Sequence, residues 1–169
     1  MAAERHRLSP AIEGLGDGRP MVNEPQRDFS QRPQRGQFAQ AVATVKVPVV
    51  ANDATAEQTG QAITRAIRAF PAWRDRDPVA RSSLIVEAAR LMQQRRDELA
   101  TVMIREAGKT WREADGDVCE AIDFCEYYAR CAVELFHPQR LGRFVGELNH
   151  HWHQPRGVVA VISPWNFPL

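Results

Sequence analysis

Asn166 closes the tetrapeptide Ser163-Pro164-Trp165-Asn166, directly after the uncharged run Gly157-Val158-Val159-Ala160-Val161-Ile162. A carboxamide offers N–H donors without a charge of its own. At the carboxyl end of a strand it suits an oxyanion forming on an attacked carbonyl carbon, where losing one such donor costs about 3–4 kcal/mol of barrier stabilisation in other enzymes. Asparagine also holds turns, and the tetrapeptide alone leaves both roles open. Cys119, Cys125 and Cys131 are the nucleophile candidates. Spaced at six residues on a helix, they fall about 120° apart around its axis and share no face. None has a neighbouring histidine or a helix N-terminal place to lower its pKa, so they read as packing residues. In His150-His151-Trp152-His153, a strand would put His151 and His153 on one face and His150 on the other. Two imidazoles without a third ligand make a poor metal site, and no metal is assigned. Glu120 falls beside an apolar helix stripe, an awkward place for a charge unless it is paired or watered; the plain alternative is a surface glutamate.

The elements that must hold these side chains follow from spacing. The run 157–162, β-branched at Val158, Val159, Val161 and Ile162, reads as a strand buried on both faces and stopped by Pro164. Open α/β sheets place ligands at the end of such a strand. Upstream, Thr55 and Gln58 form a capping box before Ile63, Ala66, Ile67 and Phe70, and Pro71 is expected to end that helix. Asp77-Pro78 opens the next, with an apolar face of Leu84, Ile85, Ala88, Leu91 and Met92. A restart near Asp97 runs to a C-terminal cap at Gly108, where Lys109 also favours the helix dipole. Thr110 and Glu113 cap the longest helix, whose stripe is Trp111, Ala114, Val118, Ile122, Cys125, Tyr128, Ala132 and Leu135. His137-Pro138 closes it, and 143–154 reads as a strand or hairpin arm. Residues 42–50 suggest a short extended segment, and 1–37 hold no sustained apolar period, reading as a linker or extended arm. The domain reading is therefore 1–37 as arm and 38–169 as one incomplete α/β module.

Composition excludes several classes. At 44% apolar and 25% charged residues the chain is globular, and a net charge of +1 provides no field for nucleic acid or anionic lipid. No apolar run approaches the roughly 18 residues of a membrane span. The odd cysteine count fits a reducing compartment, and residues 1–7 lack the apolar middle of a secretory signal, so the expected location is cytoplasmic.

Ile162-Ser163-Pro164-Trp165-Asn166-Phe167-Pro168 resembles the first nucleotide-domain strand and turn of the aldehyde dehydrogenase superfamily, and Glu106-Ala107-Gly108-Lys109 matches a superfamily pattern at the fitting distance upstream. The run from Glu113 to Ala129, containing Glu120-Ala121-Ile122-Asp123-Phe124, resembles the corresponding helix of glutamate-γ-semialdehyde (1-pyrroline-5-carboxylate) dehydrogenases. Phe70-Pro71-Ala72-Trp73-Arg74 agrees with it. Asn23-Glu24-Pro25-Gln26-Arg27-Asp28-Phe29-Ser30 is similar to the segment before the dehydrogenase module of bifunctional proline utilisation A.

The resemblance implies a fold and a chemistry. The fold is α/β: the N-terminal helices and first parallel strand of an aldehyde-dehydrogenase-type Rossmann-like nucleotide-binding domain, incomplete. In the family a cysteine thiolate attacks the aldehyde, hydride passes to a nicotinamide cofactor, and a glutamate-activated water hydrolyses the thioester. Asn166 would stabilise the oxyanion. Ile162, Ser163, Pro164, Trp165 and Asn166 would line NAD, while Glu120 and Phe167 would line the substrate channel. FAD is implied only with a proline dehydrogenase domain upstream.

The expected reaction is oxidation of L-glutamate γ-semialdehyde to glutamate in proline catabolism, with a small aldehyde as partner and a homo-oligomer in the full-length protein. The nucleophile and base are expected beyond Leu169, which leaves this polypeptide alone inactive and prone to self-association. The rivals are another aldehyde dehydrogenase, such as one for succinic semialdehyde, and a non-catalytic helical or oligomerisation module.

Overall fold

The computed structural model describes residues 11–49 and 54–169. Five helices and one short hairpin occur among the described residues: α1 (Arg32–Thr44), α2 (Ala56–Arg74), α3 (Pro78–Gln94), α4 (Arg96–Ala107), α5 (Trp111–Leu135), β1 (Gln139–Arg140) and β2 (His150–His151). The strands pair antiparallel, Gln139 opposite His151 and Arg140 opposite His150. The readings of residues 1–7 and of Val50 lie outside the described residues.

Helix starts follow local chemistry. The Thr55 hydroxyl accepts from the Gln58 amide at 3.2 Å, and the Gln58 side chain accepts from the Thr55 amide at 2.8 Å. Thr110 and Glu113 repeat the arrangement at the head of α5. The Glu113 carboxyl is held below the ordinary glutamate range by hydrogen bonds from the Thr110 amide and hydroxyl. Asp77 caps α3 through the Ala80 amide at 3.1 Å. Gly108, at φ +68°, takes the left-handed turn that ends α4, a conformation costly for a residue with a Cβ.

Three boundaries differ from the sequence reading. Pro71 lies inside α2: it removes one donor, but its own carbonyl still accepts from the Asp75 amide at 3.1 Å, so the helix gains one more turn. Residues 42–44 close α1 instead of starting an extended segment, because Val42 packs against the core from a helix face. Helix α1 also runs through residue 37, across the boundary drawn from the sequence.

α5 is the spine. Its first half, Ala114, Val118 and Ile122, packs with Phe38 of α1, Ala89 of α3 and Ala100 and Met103 of α4. Phe29, Phe38 and Trp111 form an aromatic cluster, with the Phe38 ring 5.3 Å from each of the other two. Its second half buries Ala129 and Val133 against Leu15, with Val79 and Val86 of α3 alongside. The buried face thus shifts as the partner changes from α4 to α3. Tyr128 and Leu135, assigned to the apolar stripe, are exposed, and Ala129 and Val133 replace them. α3 likewise buries Ser82 and Ala89 while Leu84, Ile85 and Leu91 stay exposed. Small residues win these positions because close helix approach leaves no room for leucine. Gly16, at φ +59°, turns the arm so that Leu15 enters this core; a Cβ there would stand 3.2 Å from Val86.

Segment 23–28 is fastened by charge. Arg96 of α4 makes a two-pronged pair with Asp115 of α5 at 2.9 and 2.7 Å. Arg27 adds its backbone amide at 2.9 Å and its guanidinium at 2.8 Å to the same carboxylate, and also pairs with Asp97. Arg96 reaches back to Glu24 at 2.9 Å and to the Pro25 carbonyl at 3.0 Å. Burial pushes the Asp115 carboxyl up, but hydrogen bonds from Arg96 and the Arg27 amide, with both guanidinium charges, outweigh it and hold it below the ordinary range. Burial pulls Arg96 down, and the hydrogen bond and charge of Asp115 more than restore it. The Asp123 carboxylate on α5 completes the clasp by accepting from the Glu24 amide at 2.7 Å and the Asn23 side chain at 2.6 Å.

The expected buried strand takes another form. Residues 157–162 make no strand pairing, and Val161 and Ile162 are 84% and 92% exposed. A strand exists through its neighbours' hydrogen bonds, and the described residues provide no neighbour for this one. α2 shows the same lack of partners: it forms, yet buries no residue, leaving Ile63 and Ile67 exposed.

Candidate functional site

Glu120 and Phe167, 47 positions apart in the sequence, line one cavity of about 310 Å³ together with Asp117, Ala121, Phe124 and Leu169. Asp117, Glu120, Ala121 and Phe124 follow i, i+3, i+4, i+7 spacing, so a single face of α5 supplies one wall. The clasp on Asp115 and Asp123 holds the flanks of that same stretch of helix. Phe167 supplies the opposite wall from the turn at 165–166, which closes with the Phe167 amide donating to the Pro164 carbonyl at 3.2 Å.

Glu120 is exposed at the cavity wall, so its charge keeps access to water and the burial conflict anticipated for it does not arise. Asn166 is exposed in the turn, next to Phe167, and Trp165 is 89% exposed beside it. Ile162, Ser163 and Pro164 lead into the turn, also exposed. The structure therefore brings Glu120 and Phe167 together and sets Asn166 one residue from that cavity, while 162–165 present an open surface.

Lys109 is an addition the sequence reading left as a helix-dipole residue. Its ammonium pairs with Asp117 across the α4–α5 loop and lies 5.7 Å from the Phe167 ring centroid. Asp117 and Phe124 were also passed over; their spacing around Glu120 was the available signal. The Arg27–Asp115–Arg96 clasp gave no local signal, because its partners lie 88 and 19 residues apart.

The cysteines stay out of the site. Cys119 is buried, and burial pushes its thiol up to about 11. Cys125 packs against the main core, and burial raises its thiol as well. Neither supplies a thiolate at neutral pH. The His151 and His153 rings do share a face, with centroids 5.0 Å apart. Among the described residues no group of three or more His, Cys, Asp or Glu is placed to hold a metal ion. No helix among them is long and apolar enough to cross a membrane.

Helices that present a carboxylate-lined wall to an exposed apolar segment and its Pro-Trp-Asn turn define the class: an incomplete α/β scaffold with a cavity where segment and helix meet. The chain belongs to the aldehyde dehydrogenase family, whose profile matches residues 37–169. It is 44% identical over 109 residues to 1-pyrroline-5-carboxylate dehydrogenase 1 of Halalkalibacterium halodurans, covering 64% of this chain and 21% of that protein. It is 36% identical to 1-pyrroline-5-carboxylate dehydrogenase of Bacillus pumilus, covering 88% of this chain and 35% of that one. Among solved structures it resembles 1-pyrroline-5-carboxylate dehydrogenase from Thermus with bound NAD, with a TM-score of 0.80 and 32% identity over 89% of this chain and 36% of that chain. Proline utilization A from Bdellovibrio bacteriovorus also gives a TM-score of 0.80, at 34% identity over 95% of this chain and 20% of that chain. The chain thus spans between about a fifth and a third of the length of these relatives.

Proposed function

We propose that this chain serves the NAD-dependent oxidation of L-glutamate γ-semialdehyde to glutamate in proline catabolism. The observation that carries the reading is the shared cavity of Glu120 and Phe167, flanked by Asn166. The names of the relatives support the substrate, and the NAD-bound Thermus structure supports the cofactor. In this reading the α5 wall orients the polar end of the substrate through Glu120, and the Phe167 ring covers the aldehyde carbon and keeps water off it. The Asn166 carboxamide donates to the carbonyl oxygen as that oxygen gains charge.

Residues 162–166 fit a nicotinamide dinucleotide: they are exposed, unpaired as a strand, and combine an apolar edge at Ile162 and Trp165 with polar groups at Ser163 and Asn166. When bound, NAD supplies the hydride acceptor. Cys119 and Cys125 are packing residues in this reading, which places the nucleophile elsewhere. We further propose a cytoplasmic homo-oligomer, with FAD involved only where a proline dehydrogenase domain accompanies the module. The described residues before α1, 11–31, then serve as an arm on the dehydrogenase module.

The test is NADH formation by a purified longer protein that contains this chain together with the cysteine nucleophile and glutamate base, with L-glutamate γ-semialdehyde and with succinic semialdehyde. The expected result is a preference for the first. Asn166→Ala lowers kcat/KM by roughly 10²–10³-fold. Absence of NADH formation with either aldehyde refutes the reading.

A further inference from the structure

We propose that Lys109 is a positioning residue for the turn that carries Asn166, an inference that rests on the function proposed above. Three observations converge on it. The Lys109 ammonium and the Asp117 carboxylate pair, with side chains only 16% and 15% exposed, so this is a sheltered contact and not a loose surface ion pair. The same ammonium lies 5.7 Å from the centroid of the Phe167 ring, within the range where a cation is drawn to an aromatic face. Asp117 and Phe167 both line the cavity that contains Glu120. Lys109 therefore bridges the two walls, tied to α5 by charge and to the turn by the ring.

The bridge matters because little else in the structure restrains the turn. Residues 157–163 pair with no strand, and Trp165 on the near side of Asn166 is exposed to solvent. Phe167 is the residue next to Asn166 on the other side, so seating its ring fixes the local backbone from which the Asn166 amide projects. Gly108 sets the start of the bridge: its left-handed conformation turns the chain out of α4 and delivers Lys109 to the α5 side.

Fluorine NMR on protein with 4-fluorophenylalanine incorporated at position 167 tests the contact directly, alongside steady-state kinetics on the unlabelled protein. Lys109→Met keeps the stem and removes the charge; it is expected to move the fluorine resonance and to lower kcat/KM for the aldehyde roughly 3- to 30-fold. Most of that loss should fall in kcat, because the Asn166 donor acts as charge develops on the carbonyl oxygen, with KM for NAD little changed. Lys109→Arg restores both readouts, and Asp117→Asn moves the resonance in the same direction as Lys109→Met. Circular dichroism checks that the helices persist; should Lys109→Met not fold, Asp117→Asn carries the test. An unmoved resonance in the folded charge-removing variant overturns the proposal. Wild-type protein that forms no NADH overturns the functional reading instead, and the fluorine shift still decides whether Lys109 seats Phe167.

Discussion

The arm that crosses the helices at residues 23–28 and the segment at 157–162 have little regular structure in common, yet one is fixed and the other is bare. The arm is poor in apolar side chains. It is held because Asp115, 1% exposed, collects Arg27 and Arg96 at once and Asp123 collects the backbone of Glu24. The later segment is rich in valine and isoleucine and packs almost none of them. Order in this molecule therefore follows the availability of a partner surface more closely than it follows hydrophobicity.

Breaking the clasp should give the largest effect. Asp115→Ala leaves two guanidinium groups facing a void, and urea unfolding should show a loss of about 3–5 kcal/mol. Its pH dependence has a definite sign. The Asp115 carboxyl lies below its ordinary value of 3.8 in the folded state, so its contribution is complete above that pH and disappears as acid carries it through the lower folded value. Asp115→Asn should accordingly flatten the acid limb of stability measured below about pH 4.

The two capping boxes sharpen the contrast at intermediate size. Thr110 starts α5, which carries both cores, so Thr110→Ala should lower global stability by about 1 kcal/mol. Thr55 starts α2, which buries nothing. Thr55→Ala should leave the urea midpoint unchanged and show only as faster amide exchange in the first turn of α2.

The smallest effect belongs to the bare segment. Ile162→Thr in the 169-residue chain should change stability by less than about 0.5 kcal/mol, since Ile162 is 92% exposed. A loss above 1 kcal/mol would show that 157–162 is packed in solution and remove the contrast.

The parts of the fold that depend on neighbouring residues were legible in the sequence. The caps at Thr55, Asp77, Gly108 and Thr110 stand where their residue types require, because a cap is decided within four positions. The face that a helix buries was less legible. Tyr128 and Ala129 are neighbours on α5, and only the approach of α3 and Leu15 selects alanine. For the site, Glu120 and Phe167 were assigned through family resemblance and do share a cavity. Lys109 was missed because its significance requires Asp117 and Phe167 together, eight and 58 positions away in the sequence. The strand at 157–162 was inferred from composition, which reports what a segment can pair with and not whether a mate is present.

The clasp also orders events in time. Arg27 meets Asp115 across 88 residues, and Glu24 meets Asp123 across 99. During synthesis the arm emerges before its partners on α5. At about 5–20 residues per second it waits on the order of ten seconds for α5 to be made. Through that interval the arm must remain soluble without its partners, which is a use for glutamate, arginine, asparagine and proline in a stretch that ends up against a core. The charged motif at 23–28 thus serves nascent and folded chain alike: hydrated while it waits, and locked once the spine arrives.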